Sequence, residues 1–494
     1  DITAAEPLYR QAIAAAEAAF PADDLDLATF RQGLANLLRQ TGRPAEAEPL
    51  YRLALAAREK GFGADDRRVA ASLEGLGQAL EALDRIGEAV PFYQRALPIR
   101  EKADGPDAAT TASAISRLGV ALMGLDRPAD AEVLFRRLLE IRRKTEQPEG
   151  VGVADAARWI ANAADRQGRS AEAEIFHKRA LAISESVNGP THLVTGFDLL
   201  SLGLLYSAEQ RFDEAEPLLS RAVAIMDEAD DAKESAAVAR TALAFLEFSR
   251  GRKQQAMTLV ARSIGDMQAA TGADSLRSAD LMLTLAQMQA AVGENAAAEQ
   301  SLAAARAVYQ RKAPQGRALV RAKTLLASIR LAQGRAAEAL GLQLSVLGEL
   351  EQRYGRDDNE TQSALADVGR SEFALGDYAA AVAYLERAVA ITDRMAAIDA
   401  RAAFAGRTGE IEDEAIAHAA VYDFLVTAYD RLAAQRPAER DVLSEKAFRV
   451  AQRVIESQAA SALSQLAARQ AAGDGELAAL VRERQDLVDA WRAG

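Results

Sequence analysis

Cysteine is absent from all 494 residues, which excludes a disulfide, a thiolate metal site and a cysteine nucleophile within this sequence. Histidine is scarce. His177, His192 and His418 stand far apart, and neither HxxxH nor HExxH spacing exists to assemble zinc. Aromatic residues make up only 5%, no apolar run is as long as a membrane-spanning helix, and the opening DITAAEPLYRQAI lacks the basic-then-apolar layout of a signal peptide. Basic residues number 59 against 72 acidic ones, giving a net charge of −13 with both signs scattered. A nucleic-acid or anionic-membrane partner needs a basic stripe, and none is present.

Three local signals carry no chemistry. The acidic stretches ADDLD (22–26) and GRDDNE (355–360) lack the alternating ligands and closing glutamate of a calcium loop and read as solvated loops. The GFG at 61–63 lacks the strand-turn-helix setting of a phosphate loop, and Asn359 heads a glycosylation sequon that matters only in a secretory pathway. No metal and no cofactor is expected.

What is abundant is alanine in register. Equivalent alanines stand at Ala5, Ala47, Ala89, Ala131, Ala173, Ala215, Ala256, Ala298, Ala339 and Ala381, spaced by 42 five times and then by 41, 42, 41 and 42. Four residues on comes a bulky residue in most copies, such as Tyr9, Tyr51, Tyr93, Phe135 and His177, and three further on a small one, such as Ala54 and Ala96. Spacings of four and seven share one helical face, so each copy contains a helix packed by that stripe. His177 takes an aromatic slot and reads as a packed side chain rather than a base or ligand.

Twelve residues before each alanine, from Ala47 onward, stands glycine or alanine, including Ala35, Gly77, Gly119, Ala161, Gly203 and Gly369, preceded every time by an aliphatic residue. Glycine in mid-helix lowers helix propensity, so its recurrence requires a packing reason: a second helix crosses there too closely for a larger side chain. Between the two helices, glycine recurs at Gly42, Gly168, Gly251, Gly293, Gly334 and Gly376, suited to a left-handed residue at a helix end. Another glycine closes the second helix at Gly63, Gly105, Gly189, Gly272 and Gly355. In repeats six to eight, Arg240, Glu247, Lys323 and Arg330 fall where apolar packing is expected.

Leucine then a small residue in one helix, with alanine, aromatic, alanine in the next, resembles the tetratricopeptide repeat (TPR), in the longer 42-residue form of kinesin light chains. The resemblance covers residues 1 to about 390 and implies an all-α fold: a right-handed superhelical solenoid of a half repeat and nine helix pairs (1–390), followed by a divergent C-terminal helical cap (391–494). It also implies protein binding in a concave groove lined by the first helix of each pair. The exposed stripe of that helix lies fifteen, eleven and eight residues before the reference alanine. On this register Asn36 and Asn162 are expected to hold a peptide backbone, with Gln78 lining the groove in the same column, Gln32, Arg39 and Arg158 to meet its carboxylates, and Leu200, Leu204, Phe245 and Phe248 to receive apolar side chains.

After about residue 392 the rhythm fails. The run from Ala447 to Leu487, with Ala447-Phe448, Ala451-Gln452, Ala460 through Leu463, Ala467 to Arg469 and Arg482 to Gln485, resembles the segment leading into the caspase-like domain of bacterial TPR-CHAT proteins. That resemblance implies a partner-sensing arm whose cysteine peptidase domain lies outside this chain and touches it intramolecularly. The competing reading is a structural scaffold without a groove function, for which Asn36 and Asn162 are freely replaceable. The chain itself is expected not to be an enzyme, and to be cytoplasmic, or periplasmic if a signal peptide precedes it.

Overall fold

The computed structural model describes residues 2–146, 149–229, 232–314, 316–403 and 411–453, with side chains described outside 2–4 and 396–419. Among these residues every regular element is helical: α1 (Ile2–Ala19), α2 (Leu25–Gln40), α3 (Pro44–Phe62), α4 (Arg67–Ala82), α5 (Ile86–Asp104), α6 (Ala109–Gly124), α7 (Pro128–Thr145), α8 (Val151–Asp165), α9 (Ser170–Asn188), α10 (Leu193–Ala208), α11 (Phe212–Glu228), α12 (Lys233–Ser249), α13 (Lys253–Thr271), α14 (Leu276–Ala291), α15 (Asn295–Lys312), α16 (Arg317–Ala332), α17 (Ala336–Tyr354), α18 (Asn359–Leu375), α19 (Tyr378–Ala403) and α20 (Ile411–Gln435). The fold is the expected all-α solenoid of helix pairs; within each unit consecutive helices pack on one another, α1 through α12 in the first and α14 through α20 in the second. The chain divides into two compact units, Asp1–Asp266 and Met267–Gly494, the division falling inside α13.

The turn within each pair explains why the repeat keeps its phrase. In the first, Gly42 takes φ +75° and the Arg43 N–H reaches back to the Leu38 carbonyl at 2.8 Å, closing the last turn of α2. The same bond recurs from Arg85 to Leu80, Arg127 to Leu122, Arg169 to Ala164, Arg211 to Tyr206 and Arg335 to Arg330. Where glycine is missing, Asp84, Asp126 and Gln210 take the positive φ instead. Helix starts are capped by side chains: Asp24 Oδ1 accepts from the N–H groups of Asp26 and Leu27, and Asp358 Oδ1 from that of Glu360. Both acidic stretches thus supply helix caps. His192 caps α10 the same way, its Nδ1 accepting from Val194 N at 3.2 Å.

In unit 1 the buried stripe packs as the spacing requires. A Cβ on Gly77 would lie 2.6 Å from the Tyr93 ring and one on Gly119 2.5 Å from that of Phe135, so the first helix approaches the second where no larger residue fits. The same aromatic also meets the next repeat: a Cβ on Gly75 would lie 2.4 Å from Tyr51, and Phe135 stacks on Trp159 with centroids 5.5 Å apart. Tyr51, Tyr93 and Phe135 are completely buried. His177 occupies this slot in its repeat and is equally buried, a packed side chain as expected.

The charged residues of repeats six to eight keep the packing by pairing. Arg240, buried on α12, meets Asp227 on α11 and Asp266 on α13, while Glu247 accepts from Arg252. In unit 2, Lys323 pairs with Glu349, and Arg330 with Glu299 at 2.8 Å. There the last pair is covered by α20, whose Val421, Leu425 and Tyr429 pack with Val382, Leu385 and Val389 of α19. Phe424 of α20 also meets Phe373 of α18, with centroids 5.1 Å apart.

Candidate protein-binding face

The first helices of unit 1 carry three columns of polar and apolar side chains, and the structure separates them by depth. Eleven residues before the reference alanine, Asn36 on α2, Leu204 on α10 and Phe245 on α12 are exposed, Leu204 at 46% and Phe245 at 52%, with Gln78 on α4 and Asn162 on α8 half-buried between them. Asn162 has no side-chain hydrogen bond among the described residues. Val120 on α6 belongs to the same column and packs against the core, so along unit 1 the column is exposed at Asn36, Leu204 and Phe245 and half-buried between them.

The column fifteen residues before the alanine is consumed by the next repeat. Gln32 is buried, its Oε1 accepting from Ser72 Oγ at 2.9 Å and from Arg58 Nη1 at 3.3 Å. Arg158 spans Asp155 and the buried Asp198, Nη1 to Oδ1 3.0 Å, and Asp198 also accepts from Ser184. Burial holds the Asp198 carboxyl above the usual carboxylate range, Ser184 and Arg158 opposing it. Leu200 is buried in the core of α8 to α12. These three side chains join repeats rather than face solvent.

Eight residues before the alanine, Arg39 is half-buried beside the Tyr51 hydroxyl. Burial pushes that phenol above its ordinary value, against the pull of Arg39, so it keeps its proton. Phe248 is half-buried under the Lys253 ammonium, 5.9 Å from its ring centroid. Asn36 links the columns: its Oδ1 accepts from Tyr51 OH at 2.7 Å and, weakly, from Gln32 Nε2 at 3.5 Å.

Sequence reasoning missed a second system, on the second helices. In five turns of unit 1 the closing arginine also pairs with an acid in the preceding repeat: Arg43 with Glu6, Arg85 with Glu48, Arg169 with Glu132, Arg211 with Glu174, Arg252 with Glu216. Arg127, which has Val90 at that place, pairs among the described residues only with Asp130 of the helix it opens. Lower on the same helices Arg95 pairs with Glu59 and Lys102 with Asp65. The signal lay in the repeated phrase, where R and E keep their places from copy to copy.

Among the described residues no three His, Asp or Glu side chains are grouped to hold a metal, and no helix is long and apolar enough to cross a membrane. The tetratricopeptide repeat family matches residues 25–102, 68–144, 107–186, 152–228 and 319–394, more than half of the chain, and the chain belongs to that family. The fold is one that is generally non-catalytic and suited to binding proteins. Three solved structures are similar. A candidate kinesin light chain of Podosopora anserina with nearly identical TPR-like repeats is 23% identical over 40% of this chain and 93% of its own, with a TM-score of 0.37. BtubC (BKLC) from P. vanneervenii is 23% identical over 46% and 91%, TM-score 0.38. Aspartyl phosphate phosphatase F from Bacillus subtilis is 14% identical over 68% and 90%, TM-score 0.46. No curated protein sequence matches the chain.

Proposed function

We propose that unit 1 binds an extended segment of a protein partner along its first-helix face, with Asn36, Gln78 and Asn162 holding the backbone and Leu204 and Phe245 receiving apolar side chains. The observation that carries this reading is the column itself: amides at one end, two exposed large apolar residues at the other, while the flanking Gln32, Arg158 and Leu200 are occupied within the fold. Exposed apolar side chains of this size mark interaction sites when they line up with polar neighbours. The test is capture of a partner by the wild-type chain and by an Asn36→Ala, Asn162→Ala double variant of equal helicity. Retention by both supports the scaffold reading instead, with the second-helix face, where Val133 and Ile175 are exposed on α7 and α9, as the surface to examine.

The finer reading is that this module is the cytoplasmic partner-sensing arm of a CHAT-type caspase-like peptidase. Its support is the resemblance of the run beginning at Ala447; of that run, residues 454–487 lie outside the described residues. Sequencing the parent gene downstream tests it: a histidine and a cysteine in a caspase-like setting support the arm, and their absence removes it.

A further inference from the structure

Asn36 sits at the end of a hydrogen-bond relay that fixes which way its amide points. The relay begins at Arg58 on α3, buried and able only to donate. Its Nη1 lies 3.3 Å from Gln32 and 3.0 Å from Ser72, and Ser72 Oγ lies 2.9 Å from the same Gln32 atom. An atom facing a guanidinium must be an acceptor, so Gln32 presents its Oε1 there and its Nε2 toward Asn36. A flipped Asn36 would then set two amide nitrogens against each other. The second input is Tyr51, which keeps its proton and has the donor-only Arg39 beside it, so the hydroxyl hydrogen is directed at Asn36 Oδ1, 2.7 Å away. Both inputs claim the Asn36 oxygen. Its Nδ2, on the exposed side, has no partner among the described residues.

We infer that Tyr51 is a positioning residue that locks the Asn36 amide, so that Asn36 meets the peptide main chain of the proposed face as a hydrogen-bond donor only, giving to a carbonyl oxygen and never accepting from an N–H. The inference rests on the proposed binding face and assigns the chemistry of one point on it. Tyr51 is entirely buried and touches no ligand. The lock is particular to its repeat: at the equivalent place below Asn162 stands His177, whose Nδ1 is buried without a partner, and below Gln78 stands Tyr93, whose hydroxyl goes to Glu81 instead.

The test uses decapeptides selected on the wild-type full chain from a random displayed library, with dissociation constants measured for wild type, Asn36→Ala, Asn36→Asp and Tyr51→Phe. Each peptide carbonyl is replaced in turn by a thioamide, a weaker acceptor, and each peptide is made with a free and an amidated C-terminus. A lost hydrogen bond of this kind weakens binding about tenfold, so that loss is expected for Asn36→Ala, with a larger one for Asn36→Asp, which would set two acceptors face to face. One thioamide position should weaken wild-type binding and leave the Asn36→Ala affinity unchanged. Tyr51→Phe should weaken binding and blunt that thioamide sensitivity, a readout that a purely packing role would not move.

Asn36→Asp binding as tightly as wild type would overturn the donor assignment, and loss of binding on amidation alone would make the oxygen a carboxylate rather than a main-chain carbonyl. Tyr51→Phe with full thioamide sensitivity would remove the positioning role while leaving the binding face intact. Asn36→Ala binding like wild type, or a selection that yields no peptide, would contradict the binding face itself.

Discussion

Arg85 reaches back 37 residues to Glu48, Nη1 to Oε2 2.7 Å, while its own backbone N–H closes the turn that ends α4. One residue therefore stops a helix and registers one repeat on the last. Repeats of this kind contact only their neighbours, so their stability is a sum of junctions, and a recurring junction contact adds at each step where it is made.

The rungs differ in depth, and their cost on removal should differ accordingly. Glu132 is almost fully buried and accepts from Gln167 at 2.7 Å as well as from Arg136 and Arg169. Glu132→Ala removes a buried acceptor shared by three donors, which keep only Ala163 O and Glu172, and should destabilise by about 1 kcal/mol, whereas Arg85→Ala, an exposed rung, should leave the urea midpoint within error of wild type. Urea denaturation of the two variants checks the contrast.

Gly77→Ala opposes two effects of similar size. Alanine favours the helix by about 0.5–1 kcal/mol, and its Cβ, 2.6 Å from the Tyr93 ring, costs about 1–3 kcal/mol in overpacking, so the variant should be destabilised by about 1 kcal/mol. Adding Tyr93→Leu should return the coupling energy of a shared contact rather than a simple sum, which a double-mutant cycle measures.

His177 links stability to acidity. Burial, with Arg158 nearby, holds its pKa down at about 4 against 6.5 when exposed, so between these values the unfolded chain binds a proton that the native chain does not. Stability should fall as pH drops from 6.5 to 4, by about 3 kcal/mol in total from this residue. His177→Phe, the aromatic of an equivalent slot, should flatten that part of the stability curve in denaturant titrations run across the range.

Arg240 and its partners should respond asymmetrically. Its guanidinium is buried while Asp227 and Asp266 are partly exposed, so Asp227→Ala with Asp266→Ala leaves a buried cation unpaired and should cost about 3–5 kcal/mol. Arg240→Met fills the space and frees two carboxylates that water can reach, and should cost about 1 kcal/mol or less. Thermal unfolding of both variants decides it.

Much of this fold was legible in the order of residues. The alanine period gave the helix pairs, the small residues gave the close crossings that Gly77 and Gly119 make, and Gly42 and its equivalents gave the left-handed turns. The face was legible as a stripe, since Asn36, Leu204 and Phe245 lie open, but its depth was not. Whether Gln32 or Arg158 faces solvent depends on Ser72 and Asp198, each 40 residues further along. Periodicity within one helix carries no information about the neighbour that covers it. The arginine ladder escaped for the same reason, its acids lying 36 or 37 residues back. The charges of repeats six to eight looked like broken packing because a buried ion pair is visible only once both partners are placed.

The measurement that tests the central claim most directly is capture of a partner from the source cell by three versions of the full chain, matched by circular dichroism. These are wild type, the Asn36→Ala, Asn162→Ala double variant, and a Val133→Asp, Ile175→Asp double variant on the second-helix face. The first-helix face as binding site requires a partner held by wild type and by the Val133, Ile175 variant and lost by the Asn36, Asn162 variant. A partner kept by the asparagine variant and lost by the other would contradict it and move recognition to the second helices.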